Sequence, residues 1–280
     1  KIQDRRTLLR RSADDTDPIE RAVVANADQL VVVVAAANPE PRTGFIDRAL
    51  VAAYDAGIEP LLLVTKADVK DPAELLANYQ HLDFPVIISK TADSAASGID
   101  ARSDDGLSAR LDKAAVSQLR NYLDGKVTVM LGHSGVGKST MVNALTGAER
   151  ATGGVNAVTG RGRHTSSSAL ALKVSDAPAG SWIIDTPGIR EIALWEADEG
   201  VQETFSEVDE VAQTCRFNDC AHAGEPGCAV QAALDAGELD ADRVSAYLKL
   251  REELQATAAE VASRKRPPRH MRKSSKKKRR

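Results

Sequence analysis

No stretch of this sequence reaches the roughly 18–20 consecutive apolar residues that cross a bilayer as a helix. Its longest runs, Leu30–Ala37 and Leu61–Val64, are strand-sized. A membrane partner is therefore not expected. The start has no zones of charge, apolar core and small residues that would mark a signal peptide, so a cytoplasmic location is the expectation. It also has no initial Met: the first residue is Lys1, which places the expected native start upstream. Cysteine is scarce. Cys215, Cys220 and Cys228 are the only three, and they fall within 14 residues. An odd number excludes complete internal disulfide pairing, and the clustering favours metal. Acidic side chains are missing from Arg264–Arg280, which carries 11 Lys and Arg. The other 263 residues hold 26 basic and 40 acidic side chains, so a formal net charge of −3 hides an acidic body and a basic tail. That asymmetry points to a polyanion, nucleic acid, reached through the tail. A solvated tail without a partner is the alternative, since it also lacks apolar residues that could fold. No internal repeat is visible.

What is present, over 280 residues, is enough chain for one large core and a smaller module. Gln29–Val34 is a β-branched run of the kind that forms a strand buried on both faces. Thr43–Ala56 has apolar residues at helical spacing and stops at Gly57. Strands are expected at Pro60–Val64 and Pro85–Ile88, with a short helix over Asp71–Tyr79 between them. Ala92–Asp105 reads as a polar surface loop and Leu107–Leu123 as a helix. Then follow a strand at Lys126–Leu131, a helix at Lys138–Leu145, and strands at Ser168–Ser175 and Trp182–Asp185. This alternation predicts an α/β fold with a doubly wound, mostly parallel sheet. Beyond Gln202 the pattern is helical, with a long helix over Asp240–Ala262 whose Val244, Tyr247, Leu248, Leu250 and Leu254 pack inward.

Gly132–Ser139, GHSGVGKS, fills every fixed position of a phosphate-binding P-loop between a strand and a helix. The glycines let backbone N–H groups curl round phosphate, and the helix start adds its positive end. Lys138 suits the β/γ-phosphates and Ser139 suits Mg²⁺. Asp185-Thr186-Pro187-Gly188 supplies a strand-ending carboxylate near Mg²⁺ and a Gly N–H for the γ-phosphate. Thr65-Lys66-Ala67-Asp68 resembles the N-K-x-D base-reading motif: a carboxylate at Asp68 can accept from guanine N1 and N2, which adenine cannot match. Ser89 follows at the end of the next strand, where a backbone N–H can meet guanine O6. A P-loop ATPase or kinase is the competing class, and Asp68 argues against it. Cys215-x4-Cys220-x-His222-x5-Cys228 offers three thiolates and one imidazole, a set that suits a closed, structural zinc site. Asp219 and Glu225 are weaker candidates.

The order of these motifs is unusual, because the base-reading pieces precede the P-loop. With Ala25–Gln29, Arg161-Gly162-Arg163-His164-Thr165 and the segment Cys215–Val230, the chain resembles the circularly permuted, ribosome small-subunit-dependent GTPase A family, RsgA (YjeQ, YloQ). The resemblance runs from about residue 19 to 254. It implies a permuted GTPase domain over 19–200, a helical zinc domain over 201–263 and a basic tail over 264–280. Residues 1–18 would be a linker or the remnant of an N-terminal OB-fold that is otherwise absent from this chain. It implies a monomeric GTP hydrolase that assists late maturation of the small ribosomal subunit, binds 16S rRNA and is stimulated by the subunit. The implied GTP/GDP site is Thr65, Lys66, Asp68, Ser89, Gly132, Ser134, Gly135, Val136, Gly137, Lys138, Ser139, Thr140, Asp185 and Gly188. Mg²⁺ would take Ser139, Asp185 and Thr165, with Ser166 competing for the last place. Zn²⁺ would take Cys215, Cys220, His222 and Cys228. His164, Thr165 and Lys138 are the catalytic candidates, although His164 could equally contact rRNA. Ile189 stands where many GTPases carry a water-orienting Gln, so slow intrinsic turnover is expected. Thr65 replaces the usual Asn, so a weaker hold on the base loop is expected.

Overall fold

The computed structural model describes residues 4–14, 17–90, 112–148, 170–177, 180–186, 194 and 197–265. Two compact units divide the chain, Lys1–Ala193 and Leu194–Arg280.

The first unit is built on a six-stranded sheet. Strand β3 (Gln29–Ala35) is buried along its whole length, as its run of Val and Leu requires. It lies parallel to β4 (Glu59–Thr65) on one side and to β6 (Val127–Gly132) on the other, so Val31 faces Leu61 and Met130 across the two ladders. The full order is β5-β4-β3-β6-β8-β7, with β5 at Val86–Ile88, β7 at Leu170–Lys173 and β8 at Trp182–Asp185. Only the edge pair β7–β8 is antiparallel. A separate hairpin, β1 (Leu8–Asp14) and β2 (Asp17–Ala25), precedes the sheet. Composition alone does not announce it, because Arg10, Arg11, Glu20 and Arg21 interrupt its apolar residues. It is tied to the sheet through Asp28, whose carboxylate accepts from the Val127 N–H at 2.9 Å and pairs with Arg6 at 3.2 Å.

The spacing assigns Phe45, Ile46, Ala49, Leu50 and Ala53 of helix α1 (Thr43–Asp55) inward; the last four are buried, and Phe45 is half-buried. Helix α2 is shorter than expected, Ala73–Ala77, and the chain leaves it in turns that bury Tyr79. Helix α3 (Lys113–Tyr122) starts at Asp112, whose carboxylate caps the N–H groups of Ala114 and Ala115. The expected start at Leu107 and the loop 92–105 lie outside the described residues. Helix α4 (Lys138–Thr146) follows β6 directly. Leu119, Leu123, Met141, Val142 and Leu145 from α3, α4 and the turn after α3 close over one face of the sheet.

Strand order reverses between β3 and β6: the chain runs outward through β4 and β5, then returns to the other flank of β3. Ligands of open α/β sheets bind at such a switch point, beyond the carboxyl ends of the strands. The expected site residues sit there: Thr65 ends β4, Gly132 ends β6, Asp185 ends β8, and Ser89 follows β5.

The second unit is helical among its described residues. Helices α5 (Asp198–Thr204), α6 (Ser206–Ala212), α7 (Ala229–Ala236) and α8 (Ala241–Lys265) surround buried Phe205, Val208, Val230, Val244 and Tyr247. Arg243 lies in that core over the Phe205 ring at 4.2 Å, and its charge is met by Glu207 at 2.9 Å and the Thr204 carbonyl at 2.8 Å. Among the described residues no helix is long and apolar enough to cross a membrane.

Candidate functional site

The phosphate loop begins where β6 ends. Gly132 is required by close approach: a Cβ there would stand 2.7 Å from the Val33 carbonyl oxygen of β3. Gly135 and Gly137 hold φ of 82° and 90°, left-handed values that a side chain resists. Gly137 is also the residue before α4, and no side chain caps that helix, so its first N–H groups are left for a ligand. Lys138, in the first turn, reaches Asp185 Oδ1 at 2.5 Å. The pair is nearly buried, with side chains 12% and 3% exposed. Thr186, beside it, donates to the Met130 carbonyl at 3.1 Å and so fixes the end of β8 against β6.

The base loop is attached to the phosphate loop through its own side chains. Thr65 Oγ1 lies 2.7 Å from the Val136 carbonyl and 3.2 Å from the Val34 carbonyl. The hydroxyl thus links β4 to the P-loop and to β3, a firm attachment for a residue that stands where Asn is usual. Lys66, with φ 56°, directs its ammonium to the carbonyls of Gly135, at 2.8 Å, and Asn38. Asp68 is exposed. Ser89 is buried; its N–H donates to the Val64 carbonyl at 2.8 Å and its carbonyl accepts from Ala67 at 3.2 Å. The loops after β4 and β5 are therefore joined edge to edge.

A third wall was not legible in the motifs. The segment between β3 and α1 and the first turn of α1 lie against the phosphate loop: Pro39 Cδ is 3.9 Å from where a Gly135 Cβ would stand, and the Phe45 ring packs on His133 at 4.3 Å. Burial, and then the charge of Arg42, hold the His133 pKa below its ordinary value, so the imidazole is neutral near neutral pH. The only sequence signal for this wall is position, since it follows the strand next to the P-loop strand. Gly188, His164, Thr165 and Ser166 lie outside the described residues, as do Pro187, Ile189 and the basic tail beyond Lys265.

In the second unit Cys215, Cys220, His222 and Cys228 converge. One ligand atom from each lies within 4.8 Å of all the others. His222 Nδ1 stands 3.6 Å from Cys215 Sγ and 3.5 Å from Cys228 Sγ. Four ligands at about 2.0–2.3 Å in a tetrahedron stand roughly 3.4–3.8 Å apart, so the two His222 spacings match those of a metal site. The sulfurs are prepared for charge: Cys215 accepts from the Ala229 N–H at 3.2 Å, and Cys228, the N-cap of α7, accepts from Gln231 at 3.4 Å. Burial works to raise the Cys215 thiol, but the N–H groups of Val230 and Ala229 and its thiol neighbours outweigh it and hold the pKa below the usual value. Cys220 goes the other way: burial and the neighbouring sulfurs push it up to about 11, against the N–H of His222. Three thiolates cannot crowd together unless a cation compensates them, and a divalent ion does so. Burial, with Arg251, keeps His222 below its ordinary pKa, the neutral form a metal requires. Glu225 is not needed as a ligand. Its carboxylate accepts from Ala221 at 3.0 Å and Ala223 at 2.8 Å and lies 3.7 Å from Cys220 Sγ, which shapes the turn carrying His222 at φ 58°.

A phosphate loop after β6, a base loop after β4 that precedes it in the chain, and an acidic strand end at β8 define a circularly permuted P-loop GTPase. The RsgA GTPase family pattern matches residues 2–104 and 107–195, and the chain belongs to that family. It is 37% identical over 268 residues to "Small ribosomal subunit biogenesis GTPase RsgA 2" of Vibrio parahaemolyticus, covering 95% of this chain and 69% of that protein. It is 38% identical over 261 residues to "Small ribosomal subunit biogenesis GTPase RsgA" of Streptomyces avermitilis, covering 93% and 66%. The crystal structure of YjeQ from Thermotoga maritima matches with a TM-score of 0.59 at 30% identity, over 91% of this chain and 77% of that one. YloQ, described as a circularly permuted GTPase, shares the fold with a TM-score of 0.57 at 24% identity, over 91% and 74%.

Proposed function

We propose that this chain hydrolyses GTP as an assembly factor in late maturation of the small ribosomal subunit, binding its 16S rRNA, with turnover stimulated by the subunit. The observation that carries the reading is the convergence of Thr65–Asp68, Ser89, Gly132–Ser139 and Asp185 at the carboxyl ends of one sheet in permuted order. Asp68 reads the guanine edge and Lys66 covers the base plane; Ser89, expected to offer its N–H to O6, gives that N–H to the Val64 carbonyl instead and so lines the base pocket without donating there. The backbone of Gly132–Gly137 and the first turn of α4, through Thr140, cradle the phosphates, with Gly188 at the γ-phosphate. Ser139, Asp185 and Thr165 would hold Mg²⁺, which would supply charge neutralisation at the β/γ-phosphates. Binding then redirects Lys138 from Asp185 to phosphate. His164 orients water or stabilises developing charge. The Cys215, Cys220, His222 and Cys228 cluster would take one Zn²⁺, in a structural role because four protein ligands would leave no open position. The switches at 161–166 and 185–190 pass the nucleotide state to the zinc module and change its grip on rRNA. The protein acts as a cytoplasmic monomer.

A turnover assay with and without purified small subunits tests this directly. Slow hydrolysis alone and a rise with subunits are expected; no stimulation would overturn the assembly-factor reading. Asp68→Asn should shift preference from guanine toward xanthine nucleotides, and an unchanged preference would sink the base-site assignment. Equal subunit affinity with a GTP analogue and with GDP would remove the switch coupling.

A further inference from the structure

The metal loop carries more than ligands. Between Cys215 and Cys220 run Arg216, Phe217, Asn218 and Asp219, and Phe217 is 44% exposed. Among the described residues of the second unit it is the only exposed large apolar side chain. Its neighbours are polar, so it does not belong to an apolar patch of the size a protein interface buries at its centre. The guanidinium of Arg216 lies over its ring, 5.4 Å from the ring centre.

The loop is held at both ends, and Arg216 is held by Gly227. Cys215 and Cys220 both turn into the metal cluster, which fixes the two ends of the loop. The Arg216 N–H donates to the Gly227 carbonyl at 3.2 Å. The Arg216 stem lies flat on Gly227, where a Cβ would stand 3.1 Å from the Arg216 Cβ and 3.3 Å from its Cδ. An exposed ring with a cation over it, on a loop fixed at both ends, is suited to a flat, electron-rich partner attached to an anion. A nucleobase with its phosphate is such a partner, and it must be unpaired, because a base within a duplex offers no free face. Charge alone would not bring RNA to this face, since Asp219 is exposed beside it. Stacking supplies the term that charge does not.

We infer that Arg216 and Phe217 form a stacking platform for one unpaired RNA base, with the guanidinium taking the adjoining phosphate. This rests on the reading that the partner is RNA. The test uses the metal-loaded full chain and its Phe217→Ala, Phe217→Trp and Arg216→Ala variants, with metal content checked for each. The probes are a labelled single-stranded RNA of roughly 12 nucleotides, the same strand paired as a duplex, and purified small ribosomal subunits. Phe217→Ala should bind the single strand about tenfold more weakly with an unchanged salt slope, within the range known for loss of one stacked base. Phe217→Trp should restore binding. Arg216→Ala should weaken binding and lower the salt slope by about one. Undiminished single-strand binding by Phe217→Ala overturns the platform. So does equal preference for the duplex. Loss of subunit binding with single-strand binding intact assigns Phe217 to a ribosomal protein and also overturns it. If the unaltered chain binds neither RNA nor subunits, the assembly-factor reading itself falls, and the platform with it.

Discussion

Thr65 has one hydroxyl hydrogen and two carbonyls within reach, and the nearer is Val136 of the phosphate loop at 2.7 Å. Its replacement by Val keeps the shape and strands a buried carbonyl, which costs about 1–3 kcal/mol. GDP titration should show Thr65→Val binding about tenfold more weakly, whereas Thr65→Ser should stay close to the parent. Gly132 is limited by space. Gly132→Ala places a methyl group 2.7 Å from the Val33 carbonyl, so a thermal melt should fall by several degrees. His133 carries a pH dependence. Burial, then Arg42, depress its pKa in the folded chain below 6.5, while the unfolded chain keeps the ordinary value. The stability held by the neutral ring is complete above about pH 6.5 and is lost as the pH falls toward the folded value, because the unfolded state then binds the extra proton. Melts between about pH 8 and pH 5 should show His133→Gln losing less stability than the parent chain.

At the scale of elements, legibility followed periodicity and burial. Gln29–Ala35 and Thr43–Asp55 were readable because an apolar run and a 3.6-residue spacing each admit one efficient way to be buried. The hairpin Leu8–Asp14 and Asp17–Ala25 was not, since its register shifts between Leu9 and Arg10 and between Ser12 and Asp14 leave no steady alternation to read. Helix α2 ended early because Tyr79 turns inward to donate to Asp47 at 3.0 Å, a tertiary contact that a local pattern does not contain. The metal loop lies between these cases. Its ligands were named by residue type and spacing, but the role of Glu225 came from a fold that brings two N–H groups to one carboxylate. Removal of that carboxylate in Glu225→Ala should weaken metal retention by about 10- to 100-fold against a chelator, the usual effect of losing an outer-shell support. Stripping the metal altogether should lower the helical signal of Asp198–Lys265 while GDP binding persists, as expected if the two compact units are stabilised separately.

At the scale of the whole molecule, charge is divided along the chain: 11 of its 37 basic residues lie in Arg264–Arg280. Deleting 266–280 should therefore lower the salt slope of rRNA binding by several units while GTP affinity is retained. The sequence by itself determined the chemistry available: a P-loop, a carboxylate at Asp68, a strand-ending Asp and a Cys3His set, together with a motif order that marks a permuted GTPase. Those are properties of residue type and spacing, and they survive any arrangement in space. Tertiary structure alone decided how the loops are held. The switch point between β3 and β6 brings Thr65 and Lys66 onto the phosphate loop across about 70 residues of chain, and it brings Pro39 and Phe45 against that loop from still farther back in the chain. Contacts so distant along the chain leave no local period to read, because they depend on which strands are neighbours, and that is set by the packing of the whole sheet.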